Sequence, residues 1–342
     1  MKVTRMRALT QARYGKPDEV LAEEDVPVPT PGPGQVLVRV RAASVHADVW
    51  HAITGMPLIL RTMGSGLLRP KQRIPGTDVA GTVATVGDGV QGFAVGEAVF
   101  GECGTGFQWA NAGAYAEWAC VQAAALAPMP AGLSFEQAAA VPTSGLIAMN
   151  TMLSAFALRA GHRVLINGSA GALGCVALQI AKAQGAHVTA VDEARKLPYL
   201  QQLGADATVD YKAQPVAQLR EQFDLVYDVA STLRLSECRH LFKEGGKFVF
   251  IGHDHYGTVG RSVIGSVPAM LGMALAASWD KHLPKPNFSP ADRTQSMARL
   301  ADMLASEGIK PAVSHVFALA DAKQAFALLQ SGQRQGPIVL TL

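Results

Sequence analysis

The chain has 342 residues, of which 49% are hydrophobic and only 17% charged, and it carries a net charge of +3 at pH 7. That length exceeds one ordinary compact core and predicts two domains, while so small a net charge does not by itself imply a nucleic-acid partner. The four cysteines, Cys103, Cys120, Cys175 and Cys238, contain no Cys-x-x-Cys pair, so they support neither a disulfide framework nor a cysteine-rich zinc lobe. Reduced thiols, and a start (Met1 to Arg7) without an apolar signal core, predict a cytoplasmic protein.

From Arg7 to about Val121 short apolar runs, such as Val36 to Val40 and Val79 to Val86, alternate with Pro/Gly turns such as Pro27 to Gly34. This pattern is all-β in character and predicts a compact, partly closed β-structure. The basic stretch Arg61 to Arg73 has no interleaved aromatic residues and reads as a solvated loop at a cleft mouth, with no nucleic acid. Ser134-Phe135-Glu136-Gln137 has the spacing of a capping box and opens a helix of the second domain. Apolar segments then alternate with helical ones: Arg163 to Ile166, His187 to Val191, Ala207 to Val209, Leu225 to Val229 and Lys247 to Ile251. Such alternation predicts an α/β domain, a parallel sheet wrapped by helices.

The longest apolar tract, Val263 to Trp279, is interrupted by Ser266, Pro268 and Gly272 and is short for a bilayer. It reads as a pocket or interface segment, with no membrane contact. The tail from about His282 predicts helices over Thr294 to Glu307 and Asp321 to Gln330, then a closing strand, Pro337 to Leu340. It is expected to return to the first domain and leave a cleft between the two. The expected division is 1–126, 127–281 and 282–342.

The richest signal is Val164-Leu165-Ile166-Asn167-Gly168-Ser169-Ala170-Gly171-Ala172-Leu173-Gly174, an apolar strand breaking into three glycines and then a helix. Peptide N–H groups from Gly168 to Gly174 and the positive helix end converge there on the place of a pyrophosphate. Asp192, eighteen residues after Gly174, ends the next apolar strand, where a dinucleotide's adenosine ribose would lie.

Five segments extend this reading along the chain: Ala43-Ser44-Val45-His46-Ala47-Asp48, Ile74-Pro75-Gly76-Thr77-Asp78-Val79-Ala80-Gly81, Val95-Gly96-Glu97-Ala98-Val99-Phe100-Gly101, the Asn167 to Gly174 turn, and Gly336-Pro337-Ile338-Val339-Leu340. In order and spacing the chain resembles the medium-chain dehydrogenase/reductase superfamily over essentially its whole length, and within it the zinc-independent quinone oxidoreductase branch. The resemblance implies a GroES-like, β-rich catalytic domain and a Rossmann doubly wound parallel-sheet domain inserted before its last part. It also implies NAD(P)H-dependent reduction of a small quinone or enone, and a homodimer. Zinc-dependent alcohol dehydrogenases of the same superfamily carry ligands at positions that here read Val45, Thr77 and Ala140. His46 and His51 lie five apart with no third ligand, so no metal is expected.

Without a metal, hydrogen bonds and a proton must come from side chains. His46 is the first candidate, as proton donor or as a ribose contact, and Asp48 either ties loops together or touches the reaction. The resemblance places Thr143 and Ser144 at the nicotinamide end, where Gly145-Leu146-Ile147 replaces a frequent Gly-Leu-Thr. It assigns mostly packing to Tyr115. Gly168, Ser169, Ala170, Gly171, Ala172, Leu173, Gly174 and Ile251 complete the expected cofactor set. Asp192 points to NADH, whereas Lys196 and Tyr211 resemble the pair that holds the 2′-phosphate in NADPH-dependent relatives, with Arg195 and Arg334 as further charges or as plain solvated surface. NADPH is favoured over NADH. The rival functions are alcohol or aldehyde oxidation and dinucleotide sensing with little turnover.

Overall fold

A computed structural model describes residues 4–104, 110–252, 263–285 and 292–342. The first sheet is assembled from β3 (Gln35–Val45), β4 (Asp78–Val86), β5 (Ala98–Glu102), β6 (Trp118–Gln122) and β7 (Leu126–Pro128), together with β13 (His315–Ala318) and β14 (Ile338–Thr341) from the tail. Its order is β13-β14-β3-β4-β5-β7, with β6 also on β3, and a separate hairpin joins β1 (Arg5–Thr10) to β2 (Ala22–Pro27). The closing strand does return to the first sheet: Ile338 pairs with Val45 and Thr341 with Ala42, antiparallel.

The all-β reading of the first part needs correction: Pro17–Val20 and Arg61–Ser65 are short helical turns, and a longer helix follows β3. A helix, Ala47–Thr54, leaves the end of β3 directly and ends at Gly55, whose φ of +61° suits glycine. Val49, Trp50, Ala52 and Ile53 bury the helix, so tertiary packing fixes it between two β-runs.

The second sheet is parallel throughout, β10-β9-β8-β11-β12, built from β8 (Arg163–Asn167), β9 (His187–Asp192), β10 (Ala207–Asp210), β11 (Phe223–Asp228) and β12 (Phe242–Phe250). Val164, Leu165 and Ile166 are fully buried, as a strand covered by helices on both faces requires. Ser134 caps Phe135–Ala139 in the anticipated capping box with Gln137, and Pro142–Ala148 follows. One buried cluster runs from Ala42, Ala80 and Phe100 of the first sheet through Val141 to Ile166 and Val188 of the second, so the two sheets share a core.

Of the apolar tract Val263 to Trp279, Val267–Ala276 is helical. Ser266, Val267 and Met270 face a cleft, whereas Leu271, Leu275 and Trp279 stand exposed. Among the described residues no helix is long and apolar enough to cross a membrane.

Candidate active site

The carboxyl ends of β8, β9 and β11 open into a cleft of about 880 Å³, closed from the other side by the helix Ala47–Thr54 and by Pro142–Ala148. Ligands of open parallel sheets bind at such strand ends. His46, Asp48, Thr143, Ser144, Gly168, Ala170, Gly171, Ala172, Leu173, Asp192, Lys196, Tyr211, Ile251 and Arg334 all line it. Ser169, Gly174 and Arg195 do not.

The glycine turn divides its labour. Gly168 takes φ +84°, and a Cβ on Gly174 would lie 2.3 Å from the Gly168 carbonyl oxygen, so both positions demand glycine. Ser169 shapes the turn from behind, donating Oγ–H to the Ile166 carbonyl and accepting from the Val191 N–H. Gly171 has a φ of −75° and a ψ of 168°, an ordinary extended conformation that does not itself exclude a branched residue. A Cβ there would meet the Gly168 oxygen at 3.5 Å and the Arg334 guanidinium at 3.7 Å, and would otherwise project into open space. Gly171 precedes the helix Ala172–Ala183, whose first N–H groups, at Ala172, Leu173 and Gly174, have no carbonyl partner within the helix. The turn, the helix start and Arg334 therefore form an anion cradle.

At the end of the cleft beside β9 the charges are mutually engaged. Lys196 Nζ lies 3.0 Å from Asp192 Oδ1, and both residues are buried. Asp192 Oδ2 also accepts the Ala170 N–H at 2.9 Å, so this carboxylate braces the glycine turn as well as lining the cleft. Glu193 gathers Lys212, Arg195 and the Tyr211 hydroxyl. The Lys212 and Arg195 bonds hold its pKa down at about 2. Arg195 donates to the Gln333 and Gly332 carbonyls, tying the tail to the second sheet, and Arg334 is the arginine that reaches the cleft.

At the inner end His46 precedes the helix Ala47–Thr54 in extended backbone, φ −141° and ψ 174°. Its ring Nε2 sits 2.8 Å from Thr77 Oγ1 and 3.9 Å from Asp78 Oδ2, and Nδ1 lies 3.5 Å from Asp48 Oδ2. Burial alone would lower the imidazole pKa, but the Asp48 hydrogen bond and the charges of Asp78, Asp48 and Glu102 outweigh it, and the net direction is upward. Helix-start N–H groups would disfavour an imidazolium, and Asp48 in the first turn offsets them. His51 also faces the cleft, its Nδ1 2.6 Å from the Met56 carbonyl. Tyr115 is fully buried and donates to the Ser44 carbonyl, a packing and bracing role.

Asp78 and Glu102 are site residues that sequence reasoning missed. They face each other across β4 and β5, and Thr143 Oγ1 bridges them, 2.6 Å from Asp78 Oδ1 and 2.9 Å from Glu102 Oε1. Ser44 donates to Asp78 Oδ2, and the Thr143 N–H at the start of Pro142–Ala148 points at the same carboxylate. Burial raises both pKa values. The available signal was an acid at one end of each of two apolar strand runs.

The positions that hold zinc in the related alcohol dehydrogenases do not fit the metal here. Val45 and Ala140 have no donor atom, and the Thr77 hydroxyl is turned to His46. Among the described residues no group of three or more His, Cys, Asp or Glu could hold a metal ion. The basic loop spends part of its charge inside the chain: Arg61 lies over the Tyr14 ring and Arg73 pairs with Glu24.

Comparison with known proteins agrees with this architecture. Residues 32–131 match the alcohol dehydrogenase GroES-like domain family, and residues 203–340 match the family described as zinc-binding dehydrogenase. A chloroplast envelope quinone oxidoreductase homolog of Arabidopsis thaliana is 31% identical over 255 residues, covering 72% of this chain and 74% of the relative. The solved quinone oxidoreductase of Coxiella burnetii superimposes with a TM-score of 0.81 at 25% identity, over 99% of each chain. A mycobacterial protein solved in complex with NADPH gives a TM-score of 0.78 at 26% identity, over 98% of this chain and 100% of that one. With two sheets joined around a dinucleotide-type turn, and relatives matched along nearly the whole length, the chain belongs to the medium-chain dehydrogenase/reductase superfamily, in its quinone oxidoreductase-like branch.

Proposed function

We propose that this oxidoreductase works without zinc, taking a hydride from NADPH, or less readily NADH, to reduce quinones or α,β-unsaturated carbonyls. The observation that carries the reading is the single cleft. It joins a glycine-turn anion cradle to a buried histidine–carboxylate group, while Val45 and Ala140 stand where metal-dependent relatives have ligands. The names of the relatives and the NADPH complex of the mycobacterial neighbour support it.

In this reading the Ala172, Leu173 and Gly174 N–H groups and Arg334 hold the pyrophosphate, and Lys196 with Tyr211 faces the 2′-phosphate. Thr143, Ser144 and Ile251 border the nicotinamide, which supplies the hydride when bound. His46 holds the proton that the reduced substrate needs, and Asp48, hydrogen-bonded to it at the cleft wall, keeps the ring turned. Alcohol oxidation fits less well, because alkoxide formation without a Lewis acid loses several kcal/mol of charge stabilisation.

The test is turnover of the purified protein with NADPH against small quinones and enones, and with NADP+ against primary alcohols, each with and without chelator. Faster reduction of a quinone or enone, unaffected by chelator, is expected. A preference for ethanol or benzyl alcohol, or about one zinc per chain by elemental analysis, would overturn the reading.

A further inference from the structure

The strands β4 and β5 place two acids directly opposite each other, Asp78 against Glu102, in a site where they are 1% and 6% exposed. Like charges in such a pair repel strongly, and in low dielectric both cannot ionise together. The Thr143 hydroxyl shows how the conflict is resolved. It contacts both acids within hydrogen-bond distance yet carries one hydrogen, so it donates to one oxygen and must accept from the other. The shorter contact goes to Asp78, which also takes the Ser44 hydroxyl and the Thr143 N–H. A hydroxyl's bond to an ionised acid is the shorter, charge-assisted one, so Asp78 is the ionised member and Glu102 the one whose own O–H donates to Thr143.

We propose that Asp78 and Glu102 share one proton through the Thr143 hydroxyl, and that this singly ionised pair is the fixed counter-ion that keeps His46 charged as the proton source of the reaction. The proton-source part rests on the function proposed above. Glu102 is then a positioning residue acting through Asp78, since it does not line the cleft. The groups facing the pair are His46 with Asp48 behind it, Arg293 beyond Glu102, and Cys103 and Tyr115, both held neutral by burial. With Glu102 in acid form the pair carries one negative charge, and it shares the imidazolium with the Asp48 carboxylate on the other ring nitrogen. During reduction the substrate takes a hydride with both electrons from the reduced nicotinamide. His46 breaks one N–H bond to form the new O–H or C–H bond, and solvent returns the proton through the cleft.

The experiment reads protonation in the cofactor-free full-length protein, so it is independent of any substrate. Infrared spectroscopy near neutral pH should show a carboxylic-acid carbonyl band, shifted in D2O, that Glu102→Gln removes. Histidine NMR should show that Asp78→Asn weakens proton binding at His46 about tenfold or more, as loss of an opposite charge 3.9 Å away predicts. Thr143→Val gives a second route if either acid variant fails to fold, and should move the same band to higher frequency by removing its acceptor. A wild-type spectrum without the band, a band that survives Glu102→Gln, or a His46 titration untouched by Asp78→Asn would overturn the proposal. A protein that shows the band but reduces no quinone or enone would refute the proposed function and leave the shared proton standing.

Discussion

The two ends of the cleft hold the same chemical groups in opposite regimes. At the inner end Asp78 and Glu102 are shut away from water and face each other, and burial pushes both pKa values up. At the outer end Glu193, with its side chain 24% exposed, is surrounded by Lys212 and Arg195 and stays ionised down to about pH 2. Access to water and the sign of the neighbours decide which acids hold a proton at neutral pH. In the function proposed above, the first end handles protons and the second meets a phosphate with fixed charge.

The glycine turn between the two ends offers the largest test. Gly174→Val should cost about 3 kcal/mol or more of stability, because its Cβ would sit 2.3 Å from the Gly168 oxygen and 2.6 Å from that of Ser169, both backbone. Gly171→Val should keep the wild-type melting temperature and lose dinucleotide binding by calorimetry, since its side chain would enter open cradle. If both variants melt early, the cradle is a packing device and not a binding one.

At the inner end, His46→Ala should lower quinone turnover by up to about a hundredfold if the ring supplies the proton. A rise confined to the apparent KM for the cofactor would assign it to ribose contact instead.

Asp228, at the end of β11 between the two regimes, is buried and has its pKa raised by burial from 3.8 to about 6. Its hydrogen bonds from Asn167 and the Leu233 N–H oppose that rise. The folded protein therefore binds this proton more tightly than the unfolded chain. Its contribution favours folding fully below pH 3.8 and is lost as pH rises to about 6, by on the order of 2 to 3 kcal/mol. Urea midpoints across that window should fall more steeply for the wild type than for Asp228→Asn; equal slopes would place the proton elsewhere.

The smallest effect is expected at the outer end. Lys196→Ala should weaken NADPH about tenfold, or about 1.4 kcal/mol, and barely alter NADH. It removes the cation and leaves Asp192 uncompensated against the 2′-phosphate. Equal losses for both cofactors would make Asp192 the selector.

The second sheet was legible in the sequence because its strands β8, β9 and β11 are mostly buried apolar runs bounded by turns, and because Gly168 and Gly174 are demanded by backbone space. The helix Ala47–Thr54 was not, since its burial comes from partners distant in sequence. The Asp78–Glu102 pair was hidden for a related reason. The two acids lie apart in sequence, and only the antiparallel register of β4 and β5 sets them opposite. The charges of Lys196 and Asp192 were visible, but their mutual pairing is a property of side-chain geometry four residues apart at a strand end.

The pairing of β14 with β3 sets an order on synthesis. The parallel sheet is contiguous from Arg163 to Phe250, so its hydrogen bonds can close while the tail is still inside the ribosome. The first sheet cannot, because β3 lies at one edge of its remaining gap until Ile338–Thr341 emerges to fill it. A nascent chain therefore carries a finished nucleotide-side sheet and an open β-edge at the same time, and that edge is the part most in need of chaperone cover before release.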